Sequence, residues 1–189
     1  MTRNIANTAY GSDMSIQGIL QYTIDVLKVT DIIVAGHYGC GGVGAALTKT
    51  NYAALEFYLS RLRLIYYRNK AELDAISDST SKTNRLVELN VMQQVTNVIG
   101  SHFVQAAWHR GQTVRVHGLV YDMSTGRLNN LYTTKHQLSD VPSSLAVVSV
   151  SSSSSTSSSS SDDTNTGLIV GLSVGIPMVI RMNGVIKFC

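Results

Sequence analysis

The chain has 189 residues, of which 44% are hydrophobic and 14% charged, with a formal net charge of +3. That suffices for one ordinary domain with its own core, and the mild, dispersed charge argues against a nucleic-acid partner. Two cysteines, Cys40 and Cys189, do not suggest a disulfide framework. Residues 1–11 lack the apolar stretch of a secretory signal, and a cytoplasmic location is the expectation. Ser12 or Asp13 can cap a helix over residues 15–28, where Ile16, Ile19, Leu20, Ile24 and Leu27 share one face at helical spacing. Gly18 inside that helix lowers its stability and points to close packing.

Residues 31–47 (DIIVAGHYGCGGVGAAL) read as strand, glycine-rich loop and helix. Residues 31–35 are apolar and β-branched, as in a strand buried on both faces of a parallel sheet. Gly36, Gly39, Gly41, Gly42 and Gly44 crowd the loop that follows, with His37 and Cys40 among them. Residues 45–47 continue as helix. The two potential metal ligands therefore sit at the carboxyl end of a strand, where open α/β sheets place their sites. Three readings stand for this loop. His37 and Cys40 are good zinc ligand types at a workable spacing, but two ligands do not make a site. Gly39-x-Gly41-x-x-Gly44 formally matches a dinucleotide fingerprint, which also wants an acidic strand end about 20 residues on; Glu56 falls inside a helical pattern instead. The third reading is a tight turn with a buried His and a buried thiol. On the loop alone, the metal reading and this last one stand level.

Residues 51–69 predict a long helix with Leu55, Leu59, Leu62 and Tyr66 as its stripe, widened by Tyr58 and Ile65. Arg61, Arg63, Arg68 and Lys70 make a basic cluster, read as a solvated helix face. Residues 77–83 form a polar break. Residues 83–99 are helical again, with apolar side chains around most of the circumference, so several sides are buried and one is offered to a second subunit. A short helix follows over 101–110, closed by Gly111, with His102 and His109 in surface or capping roles. Residues 113–121 alternate as a strand, 122–126 turn, and 127–132 return as a hairpin. His117 in the first of these strands reads as structural.

Beyond residue 148 the character changes. Residues 149–161 are almost pure serine, and 149–166 read as a flexible linker. The apolar stretch 167–180 (GLIVGLSVGIPMVI) opens a tail over 167–189 and falls short of the roughly 20 residues of a spanning helix. Membrane contact is therefore confined to this tail if it occurs anywhere.

Several segments in order resemble the β-class carbonic anhydrases: Arg3-Asn4-Ile5-Ala6-Asn7, the stretch SIQGILQYTIDVLKVTDIIVAGHYGCGGVGAAL, RLVELNVMQQVTNV and AAWHRGQTVRVHGLVYDMSTGRL. The resemblance runs over residues 2–133 and does not extend into the tail. It implies an α/β fold, a mostly parallel β-sheet flanked by helices, over residues 1–148. It implies zinc-dependent, reversible hydration of CO2 to bicarbonate, with His37 and Cys40 as metal ligands and the backbone of Gly41 and Gly42 orienting substrate. A thiolate ligand favours a reducing compartment. A regulatory bicarbonate site in part of the family would carry over to Arg3 and Tyr121, although its Trp has no counterpart. A homodimer or higher homo-oligomer is expected.

The departure is that the family's C-x-D-S-R segment, source of its other Cys and Asp ligands and of an Asp–Arg pair, has no counterpart among these residues. The expectation is a chain incomplete at its N-terminus, lacking an interior strand and impaired in activity. The alternative is a catalytically inactive structural or dimerisation partner.

Overall fold

A computed structural model describes residues 1–133 and 187–188. Of the two candidate caps, Asp13 starts helix α1 (Met14–Gln21), its carboxylate accepting the Ser15 and Ile16 N–H groups. The predicted helix over 15–28 then widens into a π turn over Tyr22–Val26, where the Leu27 N–H reaches the Tyr22 carbonyl. The Thr23 hydroxyl donates to the carbonyls of Ile19 and Leu20, competing for helix acceptors just where the register changes. Ile16, Leu20 and Ile24 are buried as their spacing predicts, whereas Leu27, beyond the register change, is exposed.

Strand β1 (Asp31–His37) follows, then a turn and the short helix α2 (Gly41–Gly44), continued by one 3-10 turn over Ala45–Leu47. The segment expected as a loop over 36–44 is therefore strand at its start and helix at its end. Helix α3 (Ala53–Arg68) buries Leu59, Leu62 and Ile65. A separate helix α4 (Lys70–Asp74) lies beyond the reach of that periodicity. The polar break predicted over 77–83 is shorter than expected: helix α5 (Ser79–Ile99) already begins at Ser79, because the Asp78 side chain caps it at the Ser81 N–H. Helix α6 (His102–His109) is capped by Ser101, and Gly111 beyond it takes a φ of 72°, the left-handed value that favours glycine. Strands β2 (Arg115–Asp122) and β3 (Arg127–Thr133) form the predicted hairpin, and β4 (Lys187–Phe188) ends the described structure.

The sheet has the order β3-β2-β1-β4. β1 and β2 run parallel from Asp31↔Arg115 to His37↔Tyr121, and β2 and β3 are antiparallel. Where an interior strand is expected to be missing, β4 lies parallel to β1 at Ile33 and Val34. β1 is therefore an interior strand of this sheet.

α5 lies across the strands as the central helix. Val87, Val91 and Val95 are fully buried beneath it, and its other sides meet α3, α4 and α6. The apolar circumference is thus accounted for largely within the chain. Two glycines let α5 approach. A Cβ at Gly36 would sit 2.8 Å from Val91 Cγ2, and one at Gly118 would sit 3.0 Å from Val95 Cγ2. Such contacts force either backbone or valine to move. The close approach also brings α5 against the turn after β1.

The serine-rich stretch and the proposed boundaries at 149 and 167 lie outside the described residues. Among the described residues no helix is long and apolar enough to cross a membrane.

Candidate functional site

The carboxyl end of β1 opens on a cavity of about 220 Å³. One wall is His37, Cys40, Gly41 and Gly42; the other is the segment Asn4–Asn7. The sequence places His37 and Cys40 three positions apart, and the fold turns that interval back on itself. Gly39 takes a φ of 69°, which glycine adopts without the steric cost of a side chain. Cys40 then becomes the residue preceding α2, a free thiol only 9% exposed.

The His37 ring is fixed by its own turn. Its Nδ1 lies 3.0 Å from the Tyr38 carbonyl oxygen. A carbonyl only accepts, so the proton of the neutral ring belongs on Nδ1. Nε2 is left as the lone-pair nitrogen, the arrangement metal-binding imidazoles usually adopt. The Tyr38 hydroxyl donates to Glu88 Oε1 at 2.7 Å. Burial and then the Glu88 carboxylate push the Tyr38 phenol up from its ordinary value, so it stays a neutral donor.

The opposite wall is tied to α5 by buried amides. Asn90 Nδ2 donates to the Ala6 carbonyl at 2.8 Å and to Asn7 Oδ1 at 3.3 Å. Gln94 Nε2 donates to Asn90 Oδ1, while Gln94 Oε1 accepts the Ala9 N–H at 2.9 Å. Backbone groups at both ends of this chain fix every amide orientation. Ala6 and Asn7 accordingly sit at φ of 57° and 43°, a strained local geometry held by the surrounding contacts. Asn7 Nδ2 is buried and has no hydrogen-bond partner among the described residues. A Cβ at Gly42 would lie 2.8 Å from Ile5 Cγ2, so glycine is what allows the two walls to meet.

Among the described residues no third His, Cys, Asp or Glu joins His37 and Cys40 to make a larger metal-binding group. His102 and His109 are exposed on α6. His117 bonds Asp31 at the other end of β1. Arg3 and Tyr121 do not line the cavity; Tyr121 lies beside His37 in the β1–β2 ladder. Glu56, the acid nearest to a dinucleotide pattern, lies within α3, paired with Arg63 and accepting the Thr50 N–H. The Arg63 guanidinium, and then that N–H, hold its carboxyl below the usual range. Sequence reasoning gave the Asn4–Asn7 segment no role beyond resemblance. Its wall-forming part depends on two left-handed residues and on amides 80 or more positions away, as the Asn90–Ala6 bond, 84 residues apart, illustrates.

A family model described as carbonic anhydrase matches residues 1–128. A carbonic anhydrase of Emericella nidulans is 42% identical over 129 residues, covering 68% of this chain and 57% of that protein. One of Candida albicans is 36% identical over 141 residues, covering 74% and 50%. The chain thus spans about half to three-fifths of the length of these curated relatives. Among solved structures, the Coccomyxa β-carbonic anhydrase in complex with acetazolamide superposes with a TM-score of 0.68 at 37% identity, covering 71% of this chain and 61% of that one. A β-carbonic anhydrase of Sordaria macrospora, one of two described as tetrameric, gives 0.66 at 32% identity, covering 70% and 68%. With the matched residues spanning the β1 turn, α5 and the start of the hairpin, the chain belongs to the carbonic anhydrase family, in its β class.

Proposed function

We propose that this chain carries the metal-binding half of a carbonate dehydratase site, which hydrates CO2 reversibly to bicarbonate. The observation that supports it most directly is the wall of one cavity, where Cys40 sits with a His37 whose Nδ1 is already engaged by the Tyr38 carbonyl. An imidazole nitrogen and a thiolate are both ordinary zinc donors, so the pair would suit zinc as part of a larger donor set. When bound, zinc lowers the pKa of a water from about 16 to about 7, supplying a nucleophile near neutral pH.

The rest is the work of the chain itself. Nε2 of His37 and Sγ of Cys40 would hold the ion. Ile5 and Ala6 give the cavity an apolar side suited to CO2, which has no hydrogens to donate. The first N–H groups of α2, at Gly41 and Gly42, have no partner within the helix and can face the oxygens of substrate or product. The proton released leaves through the open side of the cavity. Arg3 and Tyr121 receive no part in this reaction. Homo-oligomer formation is part of the proposal, in keeping with Phe57 at 85% exposed and Tyr52 at 73% on or beside α3.

With two donors among the described residues, weak retention of zinc and slow hydration are expected. The same two-donor set favours a second reading, a non-catalytic member that contributes structure to an assembly. Stopped-flow CO2 hydration on zinc-loaded protein decides between them. Slow hydration that disappears with His37→Ala is expected; hydration unaltered by that substitution would remove the catalytic reading.

A further inference from the structure

The peptide that holds His37 is itself held from the other side. Its carbonyl, on Tyr38, faces His37 Nδ1 at 3.0 Å. Its N–H, on Gly39, donates to Asn84 Oδ1 at 2.9 Å. One peptide plane is therefore clamped between a ligand imidazole and a side chain of α5. A backbone N–H can only donate, so the Asn84 atom facing it is the oxygen and the amide orientation is fixed. One helical turn on, Glu88 accepts the Tyr38 hydroxyl at 2.7 Å. Positions 84 and 88 share a face of α5, and together they grip residues 38 and 39. Below them Val87 and Val91 pack where a Cβ on Gly36 would otherwise stand. Glu88 in turn is paired with Arg85 at 2.7 Å.

We infer that Asn84 is a positioning residue for His37. By fixing the Tyr38–Gly39 peptide it fixes the carbonyl that keeps the proton on Nδ1, and so presents Nε2 to the cavity. Asn84 touches neither substrate nor metal; it acts through one peptide group. Gly39 lies in the left-handed region at a φ of 69°, and the space where a Cβ would stand is open, with nothing within 4 Å. The hydrogen bond that the Gly39 N–H donates to Asn84 Oδ1 constrains this peptide from the side of α5. The link from His37 to metal rests on the reading given above; the link from Asn84 to the His37 tautomer does not.

Asn84→Leu removes the acceptor at similar volume, and Asn84→Asp retains an oxygen in place. In metal-free protein at a pH where imidazole is neutral, 15N spectra of His37 give the tautomer. The expected result is Nδ1–H in the wild type and in Asn84→Asp, and a mixture in Asn84→Leu. Zinc affinity, measured by competition with a chelating dye, should fall about tenfold in Asn84→Leu, the scale of losing an outer-shell partner, and stay within about twofold in Asn84→Asp. Melting curves recorded alongside separate these effects from loss of fold, and Asn84→Ala, which also lacks an acceptor, takes the place of Asn84→Leu if the latter does not fold. Wild-type tautomer and zinc affinity in Asn84→Leu would overturn the inference while leaving the metal site standing. Failure of Asn84→Asp to restore either property would also overturn it. Absence of zinc binding in the wild type, with the tautomer still responding to Asn84, would instead overturn the metal reading and uphold the clamp.

Discussion

The two ends of β1 differ in what their polar groups are doing. At the amino end, Asp31 accepts two bonds from Arg115 at 2.8 and 2.7 Å, one from His117 Nε2 at 2.8 Å and one from the Thr30 hydroxyl at 2.7 Å. His117 then reaches the Thr133 hydroxyl with Nδ1 at 3.1 Å. Both nitrogens of that histidine are engaged. Among the described residues, His37 at the carboxyl end engages one nitrogen only, Cys40 is a free thiol, and Asn7 Nδ2 has no partner. Saturation identifies the first end as structural, since it ties β1, β2 and β3 together. Unengaged donors and acceptors around a cavity are what the proposed binding role of the second end would account for.

The largest expected effect breaks the functional end alone. Cys40→Ala or His37→Ala should lower zinc retention after dialysis by well over the roughly tenfold lost with an outer-shell partner, with little change in melting temperature. Zinc held stoichiometrically by both variants would mean that the two ends are alike and the cavity is not a metal site.

Next comes a substitution that acts on the strand between them. Gly36→Ala pushes a methyl against Val91 and Asn7 and should cost about 1–3 kcal/mol, read as a lowered denaturant midpoint. Because Asn7 belongs to the cavity wall, zinc affinity should fall with it.

A smaller effect is expected at the structural end. The Arg115 guanidinium, and after it the His117 ring and the Thr30 hydroxyl, hold the Asp31 carboxyl far below the usual carboxylate range, against the upward push of burial. A pKa lower in the folded than in the unfolded chain stabilises wherever the group is ionised in both. That contribution is complete above about pH 4, the unfolded value, and declines as the pH falls below it. Asp31→Asn should therefore cost about 1–2 kcal/mol near neutrality and flatten the acid side of the stability–pH curve, leaving zinc affinity unchanged. A zinc deficit in this variant would show that the ends are coupled.

The smallest effect on stability belongs to β4. Its ladder covers only Ile33 and Val34, so ending the chain at residue 182 should cost no more than about 1 kcal/mol. It bares an apolar strand edge, however, and such edges recruit other strands. Light scattering coupled to size exclusion should show more self-association in the shortened chain. An unchanged, monodisperse profile would argue that β4 does not protect that edge.

Much of this was legible along the chain because it depends on near neighbours. Period-3.6 spacing placed Ile16, Leu20 and Ile24 on a buried face, alternation gave the β2–β3 hairpin, and H-x-x-C in a glycine-rich turn singled out His37 and Cys40. Local chemistry also carried the errors: the Asp78 cap moved the start of α5 four residues earlier than its apolar pattern suggested, and Thr23 helped change the register that put Leu27 outside. What no local pattern contained was which histidine would be saturated. The H-x-x-C turn marks His37 and not His117 as a ligand candidate, but no neighbour in the chain shows that Asp31 and Thr133 will engage both nitrogens of His117. The sequence by itself determined the residue types, the turn that glycine permits and the helices that flank it. Tertiary structure alone decided that Asp31 meets Arg115 and His117, that Asn90 and Gln94 hold the Asn4–Asn7 wall, and that Asn84 reaches Gly39. The physical reason is that hydrogen bonds are short-ranged and directional. Partners 45 to 86 positions apart in the chain find each other only after the sheet and α5 have fixed their distances.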